Sequence, residues 1–527
     1  MKINDLIQRI QKNNYFPKSS NWIFIVLFLL LSVIYNYHTI LFKSPQSVHQ
    51  WRQTDCLSIT MNYYQNNNSF LEPSVHNLGR DETGKTVSDF PLIYFSIAYL
   101  WKIFGHYEFI YRLVVMLFFF FGLFTLFKFF ENILKDSIIA ITSTLFLFTS
   151  PTLVYYANNF LMDIPAFSLA LIGFYFFFKF TQSSKNTHVY LFVFLYAIAG
   201  LLKISSLLSF MAIVGLFIIE LLGVKLNPER KIFHQPVKQG ILFIGVLTVQ
   251  LIWYMYANNY NAKYNSGFFL IGILPIWEMN IAEIKRTFTI IDEHINWDYF
   301  RKETQLVLLA IFIFTLTLYK KANKIILLLM ILTAIGAISY SILFFGAFKD
   351  HDYYTINLFI LTPMIIAGFL LLLKDKFNFI YTSLLFKCIL IAFLIHNIDF
   401  ARRRMQGRYS PTGWQNRDYI QNTHSFEEIP TYLRSIGIKK EDRIISISDN
   451  SINITLYLMN QKGWTNFGMI KDSLKIRDKI NQGANYLLID NKFKGNAAEL
   501  YKEKSIQPFI KNKVGEFKNI DVYRLNL

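Results

Sequence analysis

Three carboxylates and a handful of cations stand where a very apolar chain has least use for them. The stretch HQWRQTDCLSI, residues 49–59, sets Arg52 and Asp55 beside a long apolar run. Asp89 and Pro91 lie in VSDFPLIYF, and Asp163 and Pro165 in NNFLMDIPAF. Arg112 opens an apolar run in YRLVV, and Lys203 closes one in GLLKISS. FKDHDYYTINL carries Lys349, Asp350, His351, Asp352 and Tyr353. A positioned carboxylate can take a proton from a reacting group, and a cation can hold an anion. Ionisable groups near membrane depth are expensive, so each calls for a use. Each also has a plain structural reading. Asp two residues before Pro is a good helix start, its oxygens accepting free N–H groups, and Asp55 could cap a helix in the same way. Arg112 and Lys203 could reach out to lipid headgroups. KDHDYY could be an ordinary aromatic belt. Chemistry is favoured because the structural reading would have to hold for all of these residues at once.

The elements that must position them are membrane spans. Of 527 residues, 53% are hydrophobic and only 17% charged, with 53 Phe and 31 Tyr. That composition predicts a polytopic α-helical membrane protein. About 20 apolar residues cross the hydrocarbon core, and runs near 22–41, 108–130, 137–153, 162–180, 188–202, 205–223, 239–257, 304–319, 325–347, 355–373 and 380–399 give about eleven spans. The first run has no small-residue cleavage site after it and reads as a span that stays. The net charge of +18 sits mostly in short loops between apolar runs, so topology and anionic lipid explain it better than nucleic acid. Two cysteines, Cys56 and Cys388, cannot build a disulfide framework or a zinc cluster.

Basic residues fix the orientation. Lys2, Arg9, Lys12 and Lys18 precede the first span; Lys225, Arg230, Lys231 and Lys238 follow the sixth; Lys320, Lys321 and Lys324 follow the eighth; Lys374 and Lys376 follow the tenth. All fall on one side, the cytoplasmic one. The first loop, 42–107, is then external, and every candidate residue maps to that outer face. Within the loop, Leu57, Met61 and Tyr64 predict an amphipathic helix lying at the interface, and LIYFSIAYLWKIFG a second. Residues 1–401 read as the membrane domain. From 402 to 527 helical and strand patterns alternate (EEIPTYLRSIG, DRIISISD, NITLYLMNQKGW, ANYLLID), predicting an external α/β domain with a parallel sheet.

The order of these features resembles the GT-C membrane glycosyltransferases, in particular the protein O-mannosyltransferase and lipid A aminoarabinose transferase branch of the family 39 type. WRQTDCLSI, SDFPLIYF, LWKIFG, YRL and MDIPA carry the resemblance, which spans most of residues 20–400. It implies that Asp55 is the catalytic acid of the first loop, that Arg112 helps hold a lipid phosphate, and that Asp163 is the acid of the fourth span. Asp55 stands alone where mannosyltransferases carry an adjacent Asp-Glu pair, and SDFP replaces a more basic turn, so Lys85 is the nearby candidate cation.

The resemblance further implies a sugar donor carried on a polyprenyl phosphate and a lipid, glycan or protein acceptor in the cell envelope. Asp55 would accept the acceptor's proton as it attacks the anomeric carbon. Arg112 and Lys203, with Arg52, Lys85, His351 and Tyr353, would stabilise the departing phosphate. Asp163 and Asp89 would orient the cations or bind sugar hydroxyls. Attack opposite the phosphate predicts inversion. No nucleotide loop and no dedicated metal cage is visible, though acidic groups leave a divalent cation open as a cofactor. The expected location is a bacterial inner membrane, with the N-terminus cytoplasmic and the C-terminal domain periplasmic. A lipid-linked sugar flippase or transporter would put its charges near midplane and show repeats; an envelope polysaccharide polymerase or ligase would centre on a large late loop. Neither pattern is seen.

Overall fold

In the computed structural model, the described residues are 16–269, 272–467, 473–492 and 503–525. The expected topogenic residues Lys2, Arg9 and Lys12 lie outside them. The apolar runs and several segments between them fold as helices: α1 (Phe16–Ile34), α2 (Gln50–Asn66), α3 (Leu92–Phe104), α4 (Glu108–Leu134), α5 (Ser137–Leu147), α6 (Pro151–Tyr156), α7 (Asp163–Ser183), α8 (Asn186–Leu202), α9 (Leu208–Leu221), α10 (Pro236–Lys263), α11 (Ile281–Ile290), α12 (Lys302–Thr317), α13 (Lys324–Leu343), α14 (Leu361–Lys376) and α15 (Leu384–Tyr409). Three shorter helices, α16 (Ser425–Ser435), α17 (Ile454–Leu458) and α18 (Ser473–Asn481), follow. Among the described residues, seven helical stretches are long and apolar enough to cross a membrane. The protein is thus a polytopic α-helical membrane protein with a small C-terminal α/β domain.

The chain divides into two compact units. The first comprises Met1–Phe42, Arg112–Leu251 and Ile273–Met405; the second comprises Lys43–Tyr111, Ile252–Gly272 and Gln406–Leu527. In the first unit, sequence sets where helices begin. The Asp136 carboxylate accepts the N–H groups of Ile138 and Ile139, and Asn323 caps α13 likewise; each such cap contributes about 1 kcal/mol. The expected run 137–153 breaks at Ser150, whose hydroxyl caps α6 with Pro151 in its first turn. The run 355–373 begins as a 3-10 helix, Asp352–Ile360. Gly122 of α4 lets α7 approach closely: a Cβ there would stand 2.9 Å from the Cα of Ser168. Small residues permit such helix packing within a membrane.

The second unit joins the first loop to the C-terminal segment. Helix α2 was expected to be amphipathic and to lie at an interface; instead every residue from Arg52 to Tyr63 is buried. The helix can be buried all round because its polar residues find partners. Thr54 and Thr60 donate to carbonyls one turn back, and Asn62 donates to the Ser58 carbonyl. Helix α3 buries Ile93, Tyr94, Ile97, Ala98 and Trp101, while Tyr99 and Ile103 are exposed.

Among the described residues, five strands form one sheet in the order β2-β1-β3-β5-β4: β1 (Arg443–Ser446), β2 (Gly463–Thr465), β3 (Ala484–Asp490), β4 (Lys513–Phe517) and β5 (Ile520–Arg524). β1, β2 and β3 are parallel, as expected. β4 and β5 form an antiparallel hairpin against β3, which the helix–strand alternation did not predict. Its two-residue turn places Lys518 at φ 55°, the left-handed conformation that tight hairpins require. The predicted helix NITLYLMNQKGW is shorter than expected, because its Gly-Trp end is β2.

The outer edge of β2 is not open. Leu78 donates its N–H to the Gly463 carbonyl (2.8 Å), and Gly463 donates to the His76 carbonyl (3.2 Å), so the first loop closes this edge with a single parallel β-bridge at Asn77. Gly463 sits at φ 154°, and a Cβ there would fall 1.8 Å from the Ile444 carbonyl oxygen. Gly463→Ala should therefore cost about 3 kcal/mol, read as a lowered melting temperature of the purified full-length protein in detergent. A change of a few tenths would mean that this backbone conformation is not enforced.

Candidate active site

In the first unit the candidate groups gather where helices end. Helix α8 stops at Lys203, which takes an extended conformation (φ −157°, ψ 115°) before a 3-10 turn, Ile204–Leu207. Its ammonium lies 3.2 Å from the Asp163 Oδ1 at the first residue of α7. The same ammonium sits over the Tyr354 ring at 4.5 Å and the Tyr353 ring at 5.3 Å. Asp163 is 1% exposed. It is not the N-cap residue of α7, which is Met162, so its carboxylate pairs with a lysine rather than serving only the helix terminus. A buried carboxylate needs such a partner, since an uncompensated one costs several kcal/mol.

Arg112, near the start of α4, is fully buried. Its guanidinium stacks on the Phe160 ring at 4.0 Å, and Nη1 donates to the Asn158 carbonyl. Residues 157–162, between α6 and α7, thus run from the Arg112 partner to the Asp163–Lys203 pair. The loop is apolar at Phe160, Leu161 and Met162 and buried throughout. Asp352 accepts a hydrogen bond from the Tyr156 hydroxyl. His351 Nδ1 lies 3.2 Å from the Tyr353 hydroxyl. A buried guanidinium, a half-buried ammonium, the aromatic faces of Tyr353 and Tyr354 and an acid that orients one cation are suited to holding a phosphate.

In the second unit Asp55 lies inside α2, one turn past its start, so it caps nothing. Its Oδ1 accepts from the Asn453 side-chain amide at 2.8 Å. Asp55 is 1% exposed. Burial raises its carboxyl to about 6; the Arg52 guanidinium and the Asn453 amide pull it back, and Asp449 adds to the rise. A carboxylate poised near 6 is a stronger base than one at 4 and is still ionised at neutral pH. Arg52, also buried, pairs with Asp89, which accepts a further bond from the Tyr94 hydroxyl at 2.9 Å. Asp89 does not cap α3: Pro91 holds the N-cap position and no side chain caps there. Lys85 turns to Glu72, 3.1 Å away, and to the Tyr264 ring.

The structure therefore brings together Asp163, Lys203 and Tyr353 in one unit, and Asp55, Arg52 and Asp89 in the other. From the sequence, Asp352 is marked only as one of the charges of FKDHDYYTINL, and nothing singles out Asn453, Asp449, Tyr156 or Tyr354. Asn453 sits in DNSINI, a pattern typical of any strand-to-helix loop, and carries no local sign of a partner 398 residues away. Among the described residues no group of three or more His, Cys, Asp or Glu is placed to hold a metal ion.

Residues 88–254 match the family described as dolichyl-phosphate-mannose-protein mannosyltransferase. No curated protein matches the chain. Among solved structures, the fold is similar to ArnT from Cupriavidus metallidurans bound to undecaprenyl phosphate, with a TM-score of 0.61 at 11% identity over 95% of this chain and 97% of that one. It is also similar to the archaeal oligosaccharyltransferase AglB from Archaeoglobus fulgidus, in complex with an inhibitory peptide and a dolichol-phosphate (TM-score 0.54, 10% identity, 90% of this chain and 70% of that one). The arabinofuranosyltransferase AftD from Mycobacteria gives a TM-score of 0.50 at 11% identity, over 96% of this chain and 41% of that one. With a mannosyltransferase match across α3 to α10 and an architecture shared along nearly its whole length with these proteins, the chain has the fold of the GT-C superfamily of membrane glycosyltransferases.

Proposed function

We propose that the protein moves a sugar from a polyprenyl-phosphate donor to a hydroxyl of an envelope lipid, glycan or protein, with inversion at the anomeric carbon. The observation that carries this reading is Asp55: buried, held by Asn453 and raised to about 6, at the first-loop position where the resemblance puts the catalytic acid. The neighbours' undecaprenyl and dolichol phosphates support a lipid-phosphate donor.

In this mechanism the acceptor hydroxyl attacks the anomeric carbon while Asp55 takes its proton late in the transition state. The bond to the donor phosphate breaks, and its electrons go to the phosphate oxygen. Arg112 and Lys203 stabilise that growing charge, which favours the transition state over the ground state. Asp163 keeps Lys203 oriented, Asp89 keeps Arg52 oriented, and Tyr353 and His351 line the approach to Lys203. Lys85 serves the loop through Glu72. The external face carries the chemistry, the N-terminus is cytoplasmic, and the membrane is a bacterial inner membrane.

Membranes carrying the protein, incubated with radiolabelled undecaprenyl-phosphate mannose and related lipid-phosphate sugars, should move label into a lipid or polymer fraction. Label that crosses the bilayer with its phosphate bond intact would point to a flippase instead. Asp55→Asn should lower transfer by at least about a thousandfold while donor binding stays within roughly tenfold. Normal turnover in that variant removes Asp55 as the base. Wild-type kcat/KM should rise with pH and level off above about 6, because the base must be ionised. A rate flat from pH 5 to 8 contradicts that assignment. Lys203→Met and Arg112→Met should each lower kcat about a hundredfold, equivalent to about 3 kcal/mol of transition-state stabilisation. A rise confined to KM would make them ground-state binders only.

A further inference from the structure

We propose that Asn453, in the C-terminal domain, is the positioning residue of Asp55: its amide fixes one carboxylate oxygen and stabilises the ionised form. The inference rests on the reading of Asp55 as the base. Asn453 is fully buried. Its Nδ2 donates to Asp55 Oδ1 at 2.8 Å, and its Oδ1 accepts the Asn77 backbone N–H at 3.0 Å and the Ser58 hydroxyl at 3.4 Å. A backbone N–H can only donate, so the amide oxygen must face Asn77, and the NH2 group must face Asp55. Its orientation is thereby forced. Among the described residues no hydrogen bond engages the other Asp55 oxygen, which leaves that oxygen for a proton.

The loop that presents Asn453 is itself held. Asp449 accepts the N–H groups of Ser451 and Thr455, each at 2.8 Å, and Asn77 donates its side chain to the Ile452 carbonyl at 2.9 Å. The loop follows β1, whose neighbours β2 and β3 lie on opposite sides. That is the point where the strand order reverses and where open α/β sheets commonly receive a ligand. Here the loop receives helix α2. Other charged or titratable groups near Asp55 are Arg52 on its own helix, with Asp89 beside it, and Asp449 from the loop. His76, bonded to Ser58, is pushed by burial down to about 3 and is neutral, and burial keeps Cys56 and Tyr94 protonated.

The test uses the full-length protein in lipid nanodiscs. Infrared difference spectra of wild type against Asp55→Asn isolate the Asp55 carboxyl, whose protonation is followed with pH. Asn453→Leu removes the donor at nearly constant volume, and the Asp55 midpoint should move up by about one unit. Transfer should then fall roughly fivefold at pH 6 and stay within twofold at pH 8. Asn453→Asp, closer in shape and still able to accept from Asn77, should move the midpoint at least as far and serves if the leucine variant does not fold. Asn77→Ala loosens the same loop without touching the carboxylate; it should lower the melting temperature and leave the midpoint in place. A midpoint unmoved in the Asn453 variants overturns the inference while a dead Asp55→Asn keeps the base. An active Asp55→Asn overturns the base reading itself.

Discussion

A carboxylate buried in the middle of a helix is the constraint around which the second unit is arranged. Asp55 cannot be satisfied by its own helix, whose N–H groups are already committed to backbone carbonyls. Ionised and unpaired, it would cost several kcal/mol. Asn453 brings one donor from the C-terminal sheet, and Arg52 brings charge from one turn away. The neighbouring polar groups then close around them: Ser58 with His76 and Asn453, Asp89 with Arg52 and Tyr94. The helix is buried on every side because each of these groups has somewhere to go.

The first unit solves a related problem with charges of both signs. Asp163 and Lys203 are set at the start of one helix and the end of another. Helix termini are where backbone groups and side chains are free to meet a ligand. The loop 157–162 ties the pair to the Arg112 partner through a continuous buried backbone. The aromatic rings of Phe160, Tyr353 and Tyr354 take the faces of the two cations. Stacking shields a guanidinium or ammonium from water while leaving it positively charged.

Much of this was legible in the sequence. Apolar runs of the right length mark helices because backbone groups in lipid must be satisfied within the segment. Asp163 and Lys203, 40 residues apart, could be assigned to one end of neighbouring helices from span lengths alone. The α/β character of the C-terminal segment also followed from its patterns. Three features did not. The burial of α2 was hidden because its residues look like a polar surface helix until their partners are known. The hairpin β4–β5 was hidden because Lys-Asn is a weak turn signal beside Asn-Gly. Asn453 was hidden because a hydrogen bond across 398 residues leaves no trace in local periodicity.

The β-bridge that the first loop makes to β2 has a consequence for how the chain is made. Gly79 and its partner Trp464 are 385 residues apart. At synthesis speeds of about 5–20 residues per second, roughly twenty seconds to over a minute separate their emergence. Through that interval the loop waits without its sheet, and the buried acid without its amide. A ribosome that stalls before β2 leaves behind a polypeptide inserted in the bilayer but lacking the C-terminal support of its first-loop carboxylate.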